Sequence, residues 1–588
     1  MAALILTSPP RIVGDGVEYV AQAMNFSRFH GPAFGRREMR DVESRLRAAD
    51  PQLAEWSIER ATIAGRNRNR DFQHFWFYGL VATPFLWLTD LAGAHPVRAF
   101  TLLNCSLLLA ALWIVLPRIG GIATTLLFFS PVIWWIDKPH TEVFTVSLIA
   151  MAVAVMRDRP GWAMALAGLA ATQNPPIAVL VPVIATVAAW NGGLPALRDP
   201  SVLAGALVGI VAAALQPLYS YVTHGTPSLL LAATIPGIPS LAEIAVVPFD
   251  LNVGLVVGFP ALILAVMGAA FVLLRRSSSS LLASDVIGAM VAAVVFLIAF
   301  ASTANLHHGA TPGMTRYALW LIPLTIPLFA RLRLQPSRGW SRTLAALTIA
   351  SALFSVLVYH PARPENWTQP TRLSEWVWTR HPGWSNPMPE VFAETLRHDD
   401  RTVVPTATRQ CDKVVLGHDV FPDGAWPVPC APVPLPAFCS GPGALCYANR
   451  RGATYSIVPA PGRPRPITPD GRVWPRTAEA HVLAWYNERD WWPLLDHVGQ
   501  LEELRAALNV RATTMGTAAR FVITLERPEP DATLSFRLPG RMHGEFLDPT
   551  TGAAVGTVRF DGPAGEMFST GVPSGHDILI LDMTGVPN

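Results

Sequence analysis

Charge is scarce in this chain. Only 15% of its 588 residues are Asp, Glu, Lys or Arg, while 51% are hydrophobic, whereas an ordinary soluble protein carries about 25% charged residues. The shortage excludes a water-soluble globule of this length and places the chain in a membrane. The charges that remain nearly cancel, 45 basic against 42 acidic for a net +3, so no global field argues for nucleic acid as a partner. No Asp-x-Asp pair occurs anywhere, which removes the usual metal-binding mark of nucleotide-sugar transferases. No GxxxxGK[ST] loop occurs either, which argues against ATP-driven transport. The start of the chain has neither a basic leader nor a full apolar core, so it is not expected to act as a signal peptide.

Cysteine is also rare, with five in all, but four of them crowd together as Cys411, Cys430, Cys439 and Cys446 while Cys105 stands alone in an apolar segment. Clustered among Pro and Gly, the four suggest two disulfides of open connectivity and an oxidising compartment such as the periplasm. A zinc site is the alternative, and it lacks a CxxC pair.

What is plentiful is apolar sequence, and it is unevenly spread. Long apolar stretches fill Phe72 to Tyr359, whereas Pro361 to Asn588 is polar, rich in Pro and Trp, and has no run long enough to span. Segments near spanning length fall at Val97 to Leu116, Ile119 to Ile136, Thr141 to Met156, Gly161 to Gln173, Pro176 to Trp190, Val202 to Val222, Val253 to Leu274, Leu282 to Ser302, Tyr317 to Ala330 and Leu344 to Tyr359. Basic residues mark alternate loops: Arg118; Arg157 and Arg159; Arg198; Arg275 and Arg276; Arg331, Arg333, Arg338 and Arg342. The positive-inside rule makes these cytoplasmic. The loops at Asp137 to Glu142, Asn174 and Pro175, Thr223 to Asn252, and Thr303 to Arg316 then face outward, as does the C-terminal region. The parity requires Phe72 to Leu91, with its aromatic belt Phe72, Phe75, Trp76, Phe77 and Tyr78, to lie at the interface rather than cross. Met1 to Pro9 reads like the last turns of a spanning helix, too short to span by itself, so a truncated first helix is expected there.

Charged residues beside spanning segments cost a few kcal/mol and invite a functional reading. Three such places share the outward face. Gly14-Asp15-Gly16-Val17-Glu18-Tyr19 comes first, followed by an arginine-rich loop with Glu38, Asp41 and Glu43. Asp137-Lys138-Pro139-His140-Thr141-Glu142 is the second. The third runs from Asn305 through His307 and His308 to Arg316-Tyr317 at the mouth of a helix.

This order resembles the GT-C superfamily of polyprenyl-phosphate-sugar-dependent membrane glycosyltransferases, which includes protein O-mannosyltransferases and aminoarabinose transferases. That family carries an acidic residue directly after its first helix, where Asp15 stands. It has a polar motif at the outer end of its third helix, where Lys138, His140 and Glu142 stand, and an Arg-Tyr pair opening a late helix, as Arg316-Tyr317 does. The resemblance covers roughly the first 360 residues. It implies a GT-C-like bundle of about 10 to 11 transmembrane helices and transfer of a sugar from a polyprenyl-phosphate donor to a periplasmic lipid, glycan or protein.

The residue types suit that chemistry. A carboxylate can take the acceptor's proton while the anomeric carbon passes through an oxocarbenium-like state, and Asp15 is the candidate base, with Glu18 and Asp41 as possible additional acids. Arg is shaped for bidentate contact with the leaving phosphate, so Arg316 is the first phosphate ligand, with Tyr317, Lys138, His140, Glu142, His307 and His308 as helpers. Asp15 between two glycines also suits a plain turn, and Arg316 also suits a helix-end anchor. Glu38, Asp41 and Glu43 share helical faces with Arg36, Arg37 and Arg40 and read first as surface pairs. The His pair is weak evidence for a metal ligand set, no metal site is assigned, and a lipid-phosphate donor needs none.

The C-terminal region divides into a Cys- and Pro-rich stretch, residues 361–477, and residues 478–588. A helix is expected around Glu390 to Leu396, one or two helices in Ala478 to Leu508, and short strands from Arg520 to Met583, as in Phe521 to Leu525 and Ile578 to Leu581. A mixed α+β region closing in a small β-sandwich follows. Phe546 to Gly552 and His576 to Leu581 are similar to the small sandwich appended to some glycoside hydrolases, with Trp474, Trp485, Trp491 and Trp492 as sugar-stacking candidates, or else as core or membrane-surface residues. The competing classes are a transporter or lipid flippase, which would show internal repeats and mid-membrane polar groups, and a non-catalytic scaffold. No repeat is evident, and the charges collect at one face.

Overall fold

The computed structural model describes residues 8–462 except 54–55, 65–68, 225–226, 231–237, 277, 304–305, 308–312, 335–337, 399–404, 418–429, 431–433, 435 and 440–444. Beyond 462 it describes the strand residues 511–516, 520–526, 533–537, 542–547, 554–560, 567–571 and 578–583. The fold is mostly helical, with small antiparallel sheets toward the C-terminus. It divides into one unit of Met1–Ser228, Ile244–Ala301 and Leu306–Thr371 and a second of Leu229–Glu243, Ser302–Asn305 and Arg372–Asn588.

Among the described residues of the first unit, five helices are long and apolar enough to cross a membrane: Val97–Phe128, Pro175–Gly192, Pro200–His224, Ser284–Ala301 and Gly339–Val358. Glu142–Val155 and Pro160–Ala171 are apolar but shorter. The Pro200–His224 helix shows which solvent this surface suits. Its buried residues are small or polar, namely Val202, Gly205, Gly209, Ala212, Gln216 and Ser220, while Leu203, Leu207, Ile210, Leu218 and Val222 stand exposed. Water would drive those large side chains inward; hydrocarbon solvates them and leaves close packing to the small ones. The packing is in fact backbone to backbone. A Cβ on Gly168 would lie 2.2 Å from the Gly209 carbonyl oxygen, and one on Gly205 would lie 2.0 Å from that of Gly161.

Three expected segments take another form. Val97–Phe128 is two helices run together across a kink, where Pro117 and Gly120 (φ +81°) break the helix between the two segments read from hydropathy. The second of these stops at Phe128 rather than Ile136, because Pro131 turns the chain into a short 3₁₀ turn, Pro131–Trp135, capped by the Ser130 hydroxyl. Likewise Arg316–Thr325 is a 3₁₀ helix, with Pro323 inside it, and only Ile326–Arg333 is α-helical. The aromatic belt is divided too: Phe72 ends the strand Arg70–Phe72, which pairs antiparallel with Thr62–Ala64, and the helix begins at Phe77 and ends at Leu91.

The Glu142–Val155 helix sits at the centre, buried on all sides, against Val97–Phe128, Pro160–Ala171 and the Arg316–Thr325 turn. Near the start of the chain, the Gly16–Phe26 helix packs on Phe77–Leu91, where Gly79 lets the chains approach: a Cβ there would lie 2.9 Å from that of Gln22. The chain after the last apolar helix stays with this unit. Tyr359 donates to the Gly258 carbonyl (3.0 Å), and Thr371 donates through its amide to Asn252 (2.7 Å) and through its hydroxyl to the Leu251 carbonyl (2.8 Å). The first unit accordingly runs on to Thr371.

The second unit holds helices Arg372–Arg380 and Pro389–Arg397, the latter covering the expected one. Thr406–Ala407, Lys413–Gly417, Leu445–Arg451 and Thr454–Pro459 form a four-stranded antiparallel sheet in that order. Cys411 pairs with Cys430 and Cys439 with Cys446, which settles the connectivity and displaces the zinc alternative. Further on, a five-stranded sheet orders Ala554–Phe560, Met542–Leu547, Ile578–Met583, Arg520–Glu526 and Arg511–Gly516, and Met567–Gly571 pairs with Thr533–Arg537. Residues 1–7, His308, the helices expected in Ala478 to Leu508, and Trp474, Trp485, Trp491 and Trp492 lie outside the described residues.

Candidate functional site

The Gly-Asp-Gly turn places Asp15 for steric reasons. Gly14 adopts φ +47°, and a Cβ on Gly16 would lie 2.9 Å from Pro139 Cγ, so only glycine lets this turn press against the Asp137 to Glu142 loop. Asp15 then caps the start of the Gly16–Phe26 helix with its carboxylate turned toward His140, His74 and Arg316.

Arg316 is the hub. Its Nη1 donates to Asp15 Oδ2 at 3.2 Å and lies 3.2 Å from His140 Nε2, and its Nε lies 3.9 Å from Glu142 Oε1 without a hydrogen bond. His140 Nδ1 is hydrogen-bonded to Glu142, which turns the other ring nitrogen, Nε2, toward Arg316 and Asp15. Arg316 also lies over the Tyr317 ring, 5.5 Å from its centroid, and Tyr317 stacks on Phe300 at 5.1 Å.

His74 closes the other side. Its Nε2 is 3.3 Å from Asp15 Oδ2, and its Nδ1 is 3.0 Å from Glu18 Oε2. Burial pulls the imidazole down, but Asp15 and Glu18 outweigh it and raise its pKa to about 8. Burial raises Asp15, yet His74, Arg316 and His140 more than offset that and hold its carboxyl well below the carboxylate range. Burial shifts Glu18 up, with Asp15 adding to the rise and His74 opposing it. Asp15 keeps 29% of its side chain exposed and Arg316 keeps 17%, so the pair is reachable from outside. The ligand atoms of Asp15, Glu18 and His74 lie within 4.8 Å of one another, a grouping that can hold a divalent cation.

The structure thus brings together Asp15, Glu18, His140, Glu142, Arg316 and Tyr317. It sends three other candidates elsewhere. Lys138 is fully buried and spends its ammonium on Asp137 Oδ1 (2.6 Å) and the carbonyls of Trp134 (2.6 Å) and Pro361 (2.8 Å), so it pins loops and has no proton left for a phosphate. His307 is buried with its Nε2 3.3 Å from Asn252 Nδ2 and its ring 5.1 Å from Trp367; burial lowers its pKa to about 3 and keeps it neutral. Asp41 lies on the Arg36–Ala49 helix, paired at 3.8 Å with Arg28 rather than with the arginines of its own helix, while Glu43 accepts from Arg47 (3.3 Å) and from the Ile58 amide (2.7 Å).

His74 escaped the sequence reading because nothing marks one histidine in an aromatic run until Asp15 and Glu18 meet it. Asp71, three residues earlier, anchors its strand: it accepts from Tyr219 Oη (2.6 Å) and lies 2.9 Å from His224 Nε2. Arg11 and Glu365 were equally unmarked, and both stand at this site. No family model, curated protein or solved structure matches the chain.

Proposed function

We propose that the chain is a polytopic glycosyltransferase of the bacterial inner membrane, GT-C-like in its helical bundle, with the C-terminal region periplasmic and closing in a β-sandwich. It moves a sugar from a polyprenyl-phosphate donor to a glycan, lipid or protein acceptor. The observation that carries this reading is the meeting of Asp15, His140 and Arg316, from motifs up to 301 residues apart, at one partly open point. The five apolar helices support the membrane setting, and the two disulfides support an oxidising outer face. An arginine with its Nε unbonded and its Nη1 shared between an acid and an imidazole is built to re-pair with an incoming phosphate.

In the proposed reaction the acceptor oxygen attacks the anomeric carbon, the bond from that carbon to the phosphate oxygen breaks, and its electron pair leaves with the phosphate. Arg316 neutralises the growing charge. The sequence points to Asp15 as the proton acceptor, but its tie to two cations suits it to hold Arg316 and His74 in register until the donor arrives. Membranes carrying the chain, supplied with a radiolabelled polyprenyl-phosphate sugar pool, test the reading. Arg316→Ala and Asp15→Asn are each expected to lower transfer by roughly 100-fold or more. Wild-type rates in both variants would refute it.

A further inference from the structure

The segment after the last apolar helix is held against the candidate site by side chains that the resemblance does not explain. Arg11 Nη2 donates to the carbonyls of Pro361 (2.6 Å) and Arg363 (2.7 Å), Trp134 Nε1 donates to Arg363 (3.1 Å), and Lys138 donates to Pro361 (2.8 Å). Two separate parts of the unit, Arg11 and the Trp134 to Lys138 turn, therefore hold one short strap, and the strap carries Glu365. A Cβ built on Gly14 would lie 3.9 Å from both Glu365 Oε1 and His140 Nε2. Because Gly14 has none, the space between these two groups, one residue from Asp15, stays open.

Every other carboxylate here is engaged. Asp15 is tied to Arg316 and His74, Glu18 is buried on His74, and Glu142 is buried on His140. Glu365 is exposed and makes no hydrogen bond or ion pair among the described residues. We propose that Glu365 is the carboxylate that takes the acceptor's proton, while Asp15 serves Arg316 and His74; this rests on the glycosyltransferase reading.

The charged and titratable groups facing Glu365 are Arg11, Asp15, Lys138, His140 and Arg316. Although the residue is exposed, its carboxyl end is partly shielded from water by the site beside it, which shifts its pKa upward, with Asp15 adding to the rise and His140, Arg316 and Arg11 opposing it. Asp15 is driven the other way. Two neighbouring carboxyls pushed apart in this manner take different roles, and the one nearer the working pH is the better base. The step balances: the acceptor O–H proton passes to Glu365 as the oxygen bonds to the anomeric carbon, and the phosphate departs with the electron pair of the broken bond. The proton then leaves Glu365 to water.

The full chain in vesicles, with the labelled polyprenyl-phosphate sugar pool, tests this between pH 5 and 9. Glu365→Gln is expected to lower transfer roughly 100-fold or more, to abolish the acid limb of the pH profile and to leave the donor KM unchanged. Glu365→Asp should keep the limb, and added formate should partly restore Glu365→Ala. Full activity and an intact acid limb in Glu365→Gln would overturn the base role and leave the glycosyltransferase reading standing. A wild type that transfers nothing from the pool would sink that reading and the base role with it.

Discussion

His74 ties the site to pH. Held between Asp15 and Glu18, its pKa rises from 6.5 to about 8, and each pKa unit is worth about 1.4 kcal/mol, so the charged imidazole is favoured in the fold by about 2 kcal/mol. The group is only 12% exposed, so solvent screening takes little from that figure. A raised folded-state pKa stabilises below the unfolded value and loses its contribution as pH climbs through the folded one. Between pH 6 and pH 9 the fold should therefore lose about 2 kcal/mol from this group alone. The assay is unfolding of the full chain by dodecyl sulfate titration in mixed micelles at both pH values, followed by tryptophan fluorescence. The comparison is His74→Phe/Glu18→Gln, in which the second change keeps Glu18 from titrating without its partner. The wild type should lose about 2 kcal/mol more than the variant over that interval. Equal losses would refute the claim that His74 is charged between the two carboxylates.

Three further outcomes follow from other parts of the structure. Lys138→Met strips Asp137 of its buried counter-ion and should cost about 3 to 5 kcal/mol in the same titration, with Lys138→Met/Asp137→Leu recovering part of it; no recovery would mean that the bonds to Trp134 and Pro361 matter more than the charge. In the second unit, replacing Cys411 and Cys430 by serine opens a link across 19 residues, a loss of about 3 kcal/mol, and opening Cys439–Cys446, across 7, should cost slightly less. Thermal unfolding of the two double variants checks the order. Gly168→Val must push apart the Pro160–Ala171 and Pro200–His224 helices, since even a Cβ would lie 2.2 Å from the Gly209 carbonyl oxygen, whereas Gly121→Ala meets only Leu116 at 4.0 Å. The first should lower the yield of folded protein in detergent and the second should not.

Much of this protein is written along the chain. The apolar runs, the late polar region, the pair of disulfides and the strands around Phe521 and Ile578 follow from hydropathy, spacing and alternation, which are properties of neighbouring residues. The glycines flanking Asp15 and the Arg316-Tyr317 pair stand out for the same reason, because a turn and a helix mouth are local. Two proline-bearing segments departed from the pattern: hydropathy counts apolar residues but is blind to the hydrogen bonds that Pro131 and Pro323 remove, so a 3₁₀ turn reads like part of a span. The partners of each charge were not legible at all. Lys138, as prominent in its motif as His140, is consumed by backbone carbonyls, whereas His74 and Glu365 reach Asp15 from 59 and 350 residues away along the chain. A Coulomb interaction depends on distance in space and on the water excluded around it, and both are decided by which helices pack together and where a strap is tied. The sequence by itself determined what kind of groups the site contains; only the tertiary structure decided which of them meet, and which one is left free to act.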